Sequence, residues 1–295
     1  MVEPASELLS GKAAAFIGSG TMAEAMIQVL INKGLIPPAR IFASGPREGR
    51  ARELNERYGV VGTTDNREAA EAVDIVVLSV KPQVLPTVMR ELRGVIYPEA
   101  LVLSIVAGMR IETMASGLQH PAVVRAMPNT PAQIGEGMTV WTASLGVNER
   151  QHGQARAILQ AMGQETYVED ENMLDMATAV SGTGPTYVFL MMEALTDAAV
   201  HLGFSRRVAE RLVTQTVLGS AMFARDTDRH LAEMRNMVTS PGGTSAEAIY
   251  QLEKGGLRTV LSKAVWAAYQ KSRLLGKANQ RPKDPNGFGV VDQAE

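Results

Sequence analysis

The segment Gly18-Ser19-Gly20-Thr21-Met22-Ala23 has the glycine spacing that lets a chain hold a pyrophosphate. Gly18 permits a tight turn, and Gly20 lets the backbone come close to a phosphate. Ala23 keeps the following helix near the preceding strand, while amides at the helix start face the phosphate charge. The context strengthens the motif. It follows the apolar run 13–17 and opens a helical stretch over residues 21–32, with Met22, Met26, Val29 and Leu30 on one side and Gly34 as the stop. About twenty residues past such a fingerprint, an NAD-binding chain presents Asp or Glu to the ribose 2′-hydroxyl. Here the second strand candidate runs into Phe42-Ala43-Ser44-Gly45-Pro46-Arg47, with Arg50 just beyond. A hydroxyl and guanidinium groups in place of a carboxylate suit a 2′-phosphate. The expected cofactor is NADPH, with NADH a weaker donor. The plainer reading makes Arg47 and Arg50 exposed residues of a helix start.

A second group of residues lies in the C-terminal half. Thr239-Ser240-Pro241-Gly242-Gly243-Thr244-Ser245 reads as a glycine-rich loop entering a helix, with Thr244 and Glu247 at capping-box spacing. Such a loop offers unpaired amides to a carboxylate, helped by the helix dipole. Alone it reads equally well as a simple helix cap. Ser181-Gly182-Thr183-Gly184-Pro185-Thr186-Tyr187 reads first as close packing where a helix breaks. Lys81 is a general acid in principle, but its place beside Pro82 at a strand end favours shaping of the backbone. His120, His152, His201 and His230 share no ligand spacing and read as surface or packing residues. No metal site and no hydrolytic constellation is expected.

The elements that would position these groups alternate in the first half. Strands are expected at 13–17, 41–43, 74–80, 100–106 and 122–127, edge strands at 138–141 and 165–168, and a helix over 46–58. Near-continuous apolar strands alternating with helices predict an α/β doubly wound, Rossmann-like sheet. Beyond residue 168 strand signals vanish, and helices are expected over 187–202, 208–224, 245–253 and 260–275. The methionines between 173 and 237 read as helix and subunit packing. The expected organisation is a dinucleotide-binding domain over 1–168, an all-α domain over 169–276 and a loose tail over 277–295. The acidic stretch Glu169-Asp170-Glu171 is the expected hinge.

Composition narrows the classes. In 295 residues, 45% are hydrophobic and 20% charged, with a net charge of −2 and no cysteine. Disulfides, thiolate metal sites and cysteine nucleophiles are excluded. No basic block suggests a nucleic-acid partner, and no apolar run approaches the roughly 20 residues that span a bilayer. Residues 1–12 contain no apolar signal core, so a cytoplasmic enzyme acting on a small molecule is expected.

Val80-Lys81-Pro82, Met127-Pro128-Asn129-Thr130-Pro131, the 181–187 segment and the 239–245 loop follow the fingerprint in order. This series resembles the pyrroline-5-carboxylate reductase family over about residues 13–275. The resemblance implies NADPH-dependent reduction of 1-pyrroline-5-carboxylate to L-proline, the last step of proline biosynthesis. It also implies a Rossmann domain joined to an all-α domain that forms a homodimer by intertwining, with larger rings such as a decamer in some members. By that resemblance Ile17, Gly18, Ser19, Gly20, Thr21, Met22, Ser44, Pro46, Asn66, Val80, Lys81, Ile105 and Ala107 line the cofactor, with Arg47 added from the 2′-phosphate argument. Glu171, Gly243, Thr244 and Ser245 contact the cyclic amino acid, and Ser245 with Thr244 serves catalysis.

The chemistry asks for an anion clamp, a hydride donor and a proton for nitrogen. An imine bound already protonated needs no strong protein acid, so positioning and electrostatics supply most of the acceleration. Family members commonly carry Thr at Ser245, where Ser keeps the hydroxyl and loses a restraining methyl. Reduction of a related cyclic or N-substituted imine remains an alternative, as does a non-catalytic NADP-binding sensor. A β-hydroxyacid dehydrogenase is disfavoured, because residues 171–202 contain no lysine.

Overall fold

The computed structural model describes residues 4–280. Its first elements are α1 (Ala5–Leu9), β1 (Ala14–Ile17), α2 (Thr21–Asn32), β2 (Ile41–Ser44), α3 (Glu48–Tyr58), β3 (Val61–Thr63), α4 (Asn66–Ala70) and β4 (Ile75–Leu78). They continue with α5 (Leu85–Leu92), β5 (Leu101–Ser104), α6 (Ile111–Leu118), β6 (Val123–Met127), β7 (Gly137–Ala143), α7 (Glu149–Ala161) and β8 (Gly163–Tyr167). One sheet of order β3-β2-β1-β4-β5-β6-β7-β8 results, parallel throughout except for the β6–β7 pair.

The apolar runs of β1, β4 and β5 are buried at every position because helices cover both faces. Alternate residues divide between two cores. Ala14 and Phe16 pack with Met26 and Leu30 of α2, Leu54 of α3 and Ile158 of α7. Ala15 and Ile17 pack with Ala69 of α4, Leu85 and Met89 of α5 and Met114 of α6. The sheet reverses direction of growth between β1 and β4, the switch point where doubly wound folds open a crevice.

The expected strands all form, and the three-residue β3 is added at one edge. β7, expected as an edge strand, lies inside the sheet because β8 pairs with it in parallel. The α3 helix begins at Glu48, two residues after the expected start, since Arg47 holds extended backbone as its cap.

After β8 come α8 (Met173–Ala177), one π-turn over Thr178–Gly182, α9 (Gly184–His201), α10 (Arg206–Arg225), α11 (Leu231–Met237), α12 (Thr244–Lys254) and α13 (Leu257–Gln280). The chain divides into two compact units. One holds the residues up to Gly182 and those from Tyr269 onward, and the other holds Thr183–Ala268.

This contact division lies 14 residues beyond the expected boundary at residue 168. Residues 169–171 are anchored: Asp170 Oδ1 accepts the Asn172 amide at 2.9 Å, and Glu171 pairs with buried Arg125 at 2.9 Å. The division falls at Gly182-Thr183, where Pro185 in the first turn of α9 starts a new helix. The expected tail is also corrected at its start, since α13 continues to Gln280. The rest of that tail lies outside the described residues.

In the second unit, α9 and α10 are joined by a short turn with Gly203 at φ 110°. Thr196, Ala209 and Val213 are buried there, while Phe189, Leu190, Phe223 and Trp266 are exposed.

Candidate active site

Three strand ends converge at the switch point. The Gly18 amide donates to the Ser44 carbonyl at 3.1 Å, and the Ser79 amide donates to the Ile17 carbonyl at 2.9 Å. The Ser79 hydroxyl donates to the Gly18 carbonyl at 2.8 Å. Gly18 sits at φ +103°, and a Cβ there would fall 2.8 Å from Val80 Cγ1 and 2.9 Å from the Ser79 carbonyl carbon. Only glycine fits, for both sterics and backbone angle. Gly20 differs, since a Cβ there would meet nothing within 4 Å. Packing within the chain does not demand that glycine, whereas close approach of a ligand to the α2 N-terminus does. Gly20 caps α2 with no side-chain bond, so the first-turn amides stay unspent.

Beside this turn lies a cleft of about 700 Å³ lined by Ser19, Gly20, Thr21, Arg47 and Gly49, with Glu24, Arg50 and Glu53 on its wall. The two arginines serve different ends. Arg50 pairs with Glu24, reaches Glu53 at 2.8 Å, and its Nε donates to the Ser19 carbonyl at 3.1 Å. It is a strut that ties α3 to α2 and engages the Ser19 carbonyl. One donor on each of its three nitrogens is thus engaged within the chain, which leaves Arg47 the more available of the two for the expected 2′-phosphate. Arg47 is exposed and makes no side-chain hydrogen bond or ion pair among the described residues, so its guanidinium fork is available.

Glu24 also accepts from Tyr58 Oη at 2.8 Å and pairs with Arg57 at 2.7 Å. Burial alone would raise the Glu24 carboxyl, but bonds from Arg50 and Tyr58 and the nearby arginine charges hold it below its ordinary value.

A second cleft, of about 460 Å³, is lined by Gly18, Gly45, Pro46, Asn66, Val80, Val84, Thr87 and Glu91. Ser44 is fully buried beneath it and donates to Asn66 Oδ1 at 2.7 Å. Ile17 is likewise buried, its side chain in the core. These two expected cofactor residues lie beneath the cleft, and Asn66 is one of the polar side chains that line it, with Thr64, Asp65, Thr87 and Glu91. Ile105 and Ala107 follow β5, where the Ile105 amide donates to the Leu78 carbonyl at 3.0 Å. Lys81 is exposed, and its carbonyl accepts the Val84 amide at 2.9 Å, in keeping with a backbone-shaping role.

In the second unit the 239–245 loop turns at Gly242, φ +70°, and the Gly243 amide donates to the Ser240 carbonyl at 3.0 Å. Gly243, not Thr244, caps α12, and no side-chain cap bond forms. The expected capping box is thus corrected: Thr244 is the first helical residue, which puts Glu247 one position too far along to reach back. The consequence favours binding. The Thr244 and Ser245 amides stand in the first turn, where no intrahelical carbonyl can take them. The Ser245 side chain is half-buried and Thr244 is exposed.

Comparison with known proteins decides the family. The family described as pyrroline-5-carboxylate reductase dimerisation matches residues 171–275, and one described as NADP oxidoreductase, coenzyme F420-dependent, matches 13–108. A pyrroline-5-carboxylate reductase of Synechocystis is 43% identical over 261 residues, covering 88% of this chain and 97% of the relative. The Pseudomonas aeruginosa enzyme of that name is 40% identical, covering 89% and 96%. The chain belongs to the pyrroline-5-carboxylate reductase family. A Coxiella burnetii pyrroline-5-carboxylate reductase structure superposes with TM-score 0.83 at 38% identity, covering 90% of this chain and 98% of that one. A Plasmodium falciparum pyrroline carboxylate reductase solved with NADP bound superposes with TM-score 0.83 at 30% identity, covering 91% and 99%.

Within this pyrroline-5-carboxylate reductase relative, Glu171 has a structural occupation. Its Oε1 accepts from Arg125 and from the Ile111 amide, each at 2.9 Å. Arg125 also pairs with Asp175 at 3.3 Å, and Asp175 accepts the Ser272 hydroxyl at 3.0 Å. The buried guanidinium ties β6 to α8 and α13, and removing one partner of such a buried pair costs about 3–5 kcal/mol.

Sequence reading passed over Ser79, Glu24 and Arg125. Glu24 was visible as an acid in the first turn after the fingerprint; the other two have no local signature. His120 is buried and bonds the Ala100 carbonyl at 2.7 Å, His152 stacks with Trp141 and Tyr167, and His230 caps α11. Among the described residues no group of acids and histidines is arranged to hold a metal.

The Glu24 strut makes stability depend on pH with a definite sign. A carboxyl lowered in the folded state stabilises fully above its unfolded value of about 4.3 and loses that contribution as pH falls through the folded value. Glu24→Gln should melt below the parent at pH 7, with the gap closing as pH is lowered toward 3. A gap that stays constant in thermal melts across that range would contradict the strut.

Proposed function

We propose that the chain reduces 1-pyrroline-5-carboxylate to L-proline with NADPH in preference to NADH. The observation that carries the reading is the cleft at Gly20, where open space for a ligand, first-turn amides and an available Arg47 guanidinium coincide. In a chain of this family, those features fit a pyrophosphate and a 2′-phosphate. When bound, the reduced dinucleotide supplies the hydride that turns the C=N carbon into a C–H centre.

The chain's own residues do the rest. Gly18 closes the turn, and Ser19, Gly20, Thr21 and Met22 hold the pyrophosphate through backbone amides at the α2 N-terminus. Arg47 takes the 2′-phosphate as a fork, and Asn66 with Pro46 and Val80 lines the adenosine side. Lys81, Ile105 and Ala107 shape the backbone toward the nicotinamide end.

The segment 243–245 receives the substrate carboxylate on the unspent Thr244 and Ser245 amides, and the Ser245 hydroxyl bonds the ring nitrogen. An iminium nitrogen that enters protonated leaves as the amine after one hydride addition, so the protein need only orient it and exclude water. Glu171, first expected beside the substrate, is assigned to holding Arg125 instead. The helical unit forms a homodimer, a reading supported by the dimerisation family match over 171–275 and by the exposed Phe189, Phe223 and Trp266.

Two substitutions test the assignments separately. Arg47→Ala should raise KM for NADPH by about tenfold or more while changing that for NADH little, since a charge-assisted bond contributes about 1.5–3 kcal/mol. Equal effects on both dinucleotides would remove Arg47 from 2′-phosphate recognition. Ser245→Ala should lower kcat with 1-pyrroline-5-carboxylate by about tenfold or more and leave NADPH affinity unchanged. An unaltered kcat would take the hydroxyl out of the mechanism.

A further inference from the structure

Asn66 is a polar side chain lining the second cleft, and its value to a ligand depends on which way its amide points. A side-chain amide offers a donor on one side and an acceptor on the other, with nearly the same shape. Ser44 cannot decide between them. Its hydroxyl donates to Asn66 Oδ1 at 2.7 Å, yet a hydroxyl can equally accept, and the Phe16 carbonyl at 3.5 Å lies on its other side. The second neighbour is different. Asn66 Nδ2 donates to Glu91 Oε2 at 2.7 Å, and a carboxylate can only accept.

We infer that Glu91 is a positioning residue for dinucleotide binding: it fixes the polarity of the Ser44–Asn66–Glu91 chain so that Asn66 presents its second N–H to the cleft. With Nδ2 held by Glu91, Oδ1 must face Ser44, and the buried serine must donate. The one Asn66 hydrogen left unspent is then a donor aimed at acceptor atoms of the ligand, as phosphate, ribose and adenine ring nitrogens all are. Glu91 is itself held in place. It ends the α5 surface of the cleft, and Arg67 Nη1 in α4 donates to its backbone carbonyl at 2.9 Å. Asp65 caps α4 by accepting from the Arg67 and Glu68 amides, which sets the Asn66 backbone. Two helices from different parts of the chain thus converge on one amide.

This inference rests on the proposed dinucleotide binding and concerns one side chain within it. The test measures NADP+ binding by calorimetry and NADPH KM and kcat in five proteins: the parent, Glu91→Ala, Glu91→Gln, Asn66→Ala, and Glu91→Ala combined with Asn66→Ala. Losing one neutral hydrogen bond's worth of orientation changes affinity by about threefold to tenfold. Glu91→Ala should weaken NADP+ binding and raise NADPH KM by that factor with kcat and melting temperature unchanged. Glu91→Gln should restore binding to within about twofold, because its carboxamide oxygen can still accept. In an Asn66→Ala background, Glu91→Ala should add nothing.

Unchanged affinity in Glu91→Ala would overturn the inference. So would a Gln variant as weak as the Ala variant, or a full further loss in the double variant. A parent protein that binds no NADP+ would instead contradict the proposed cofactor, so the two failures are distinguishable.

Discussion

The approach of Gly18 to the end of β4 is the contact on which the rest of the molecule depends. A Cβ at that position would overlap Val80 and the Ser79 carbonyl, so the turn closes only because residue 18 has none. Closure brings the Gly18 amide to Ser44 and the Gly18 carbonyl to the Ser79 hydroxyl, lacing β1, β2 and β4 at one level. The α2 N-terminus then points its unpaired amides across the crevice. Strand order, helix placement and the position of Arg47 all follow from that junction, and the chemistry follows from them.

Charge is used economically around the crevice. Arg50 and Arg47 lie three residues apart, yet one is consumed by Glu24, Glu53 and the Ser19 carbonyl while the other is free for a ligand. The difference comes from helix geometry. Arg50 lies in the first turn of α3 facing α2, whereas Arg47 is the extended cap residue and faces outward. Buried Arg125 plays a similar structural part elsewhere, joining Glu171 and Asp175 so that the chain after the sheet leaves from a fixed point. Polar groups in both places hold backbone in position and leave the amides and a few selected donors to meet ligands.

Much of this was legible in the residues. The fingerprint, the buried strands and the long helices announce themselves by glycine spacing and periodicity, and the 21–32 helix forms with the bounds its pattern predicts. Short elements escaped because three to eight residues carry too little periodicity: β3, α4 and α5 are examples. The α7 helix was missed despite a visible signal, since Asn148 and Gln151 make a capping box. The anchoring of Glu171 was not legible, because a run of acids looks solvated until its partner, Arg125, arrives from 46 residues earlier in the chain. The roles of Arg47 and Arg50 were inseparable by composition, since only packing reveals that Glu24 reaches one of them. Thr244 likewise met the spacing of a cap, but the helix begins one residue earlier than that spacing requires.

The reaction proposed for this chain of the pyrroline-5-carboxylate reductase family is reduction of 1-pyrroline-5-carboxylate by NADPH held at the α2 N-terminus. Its most direct test is the rate of NADPH oxidation, followed at 340 nm, by the purified full chain with 1-pyrroline-5-carboxylate, and analysis of the product. The account predicts saturable oxidation with one proline formed per NADPH consumed, and a higher kcat/KM than with NADH. Tight NADPH binding without turnover of that imine would contradict it.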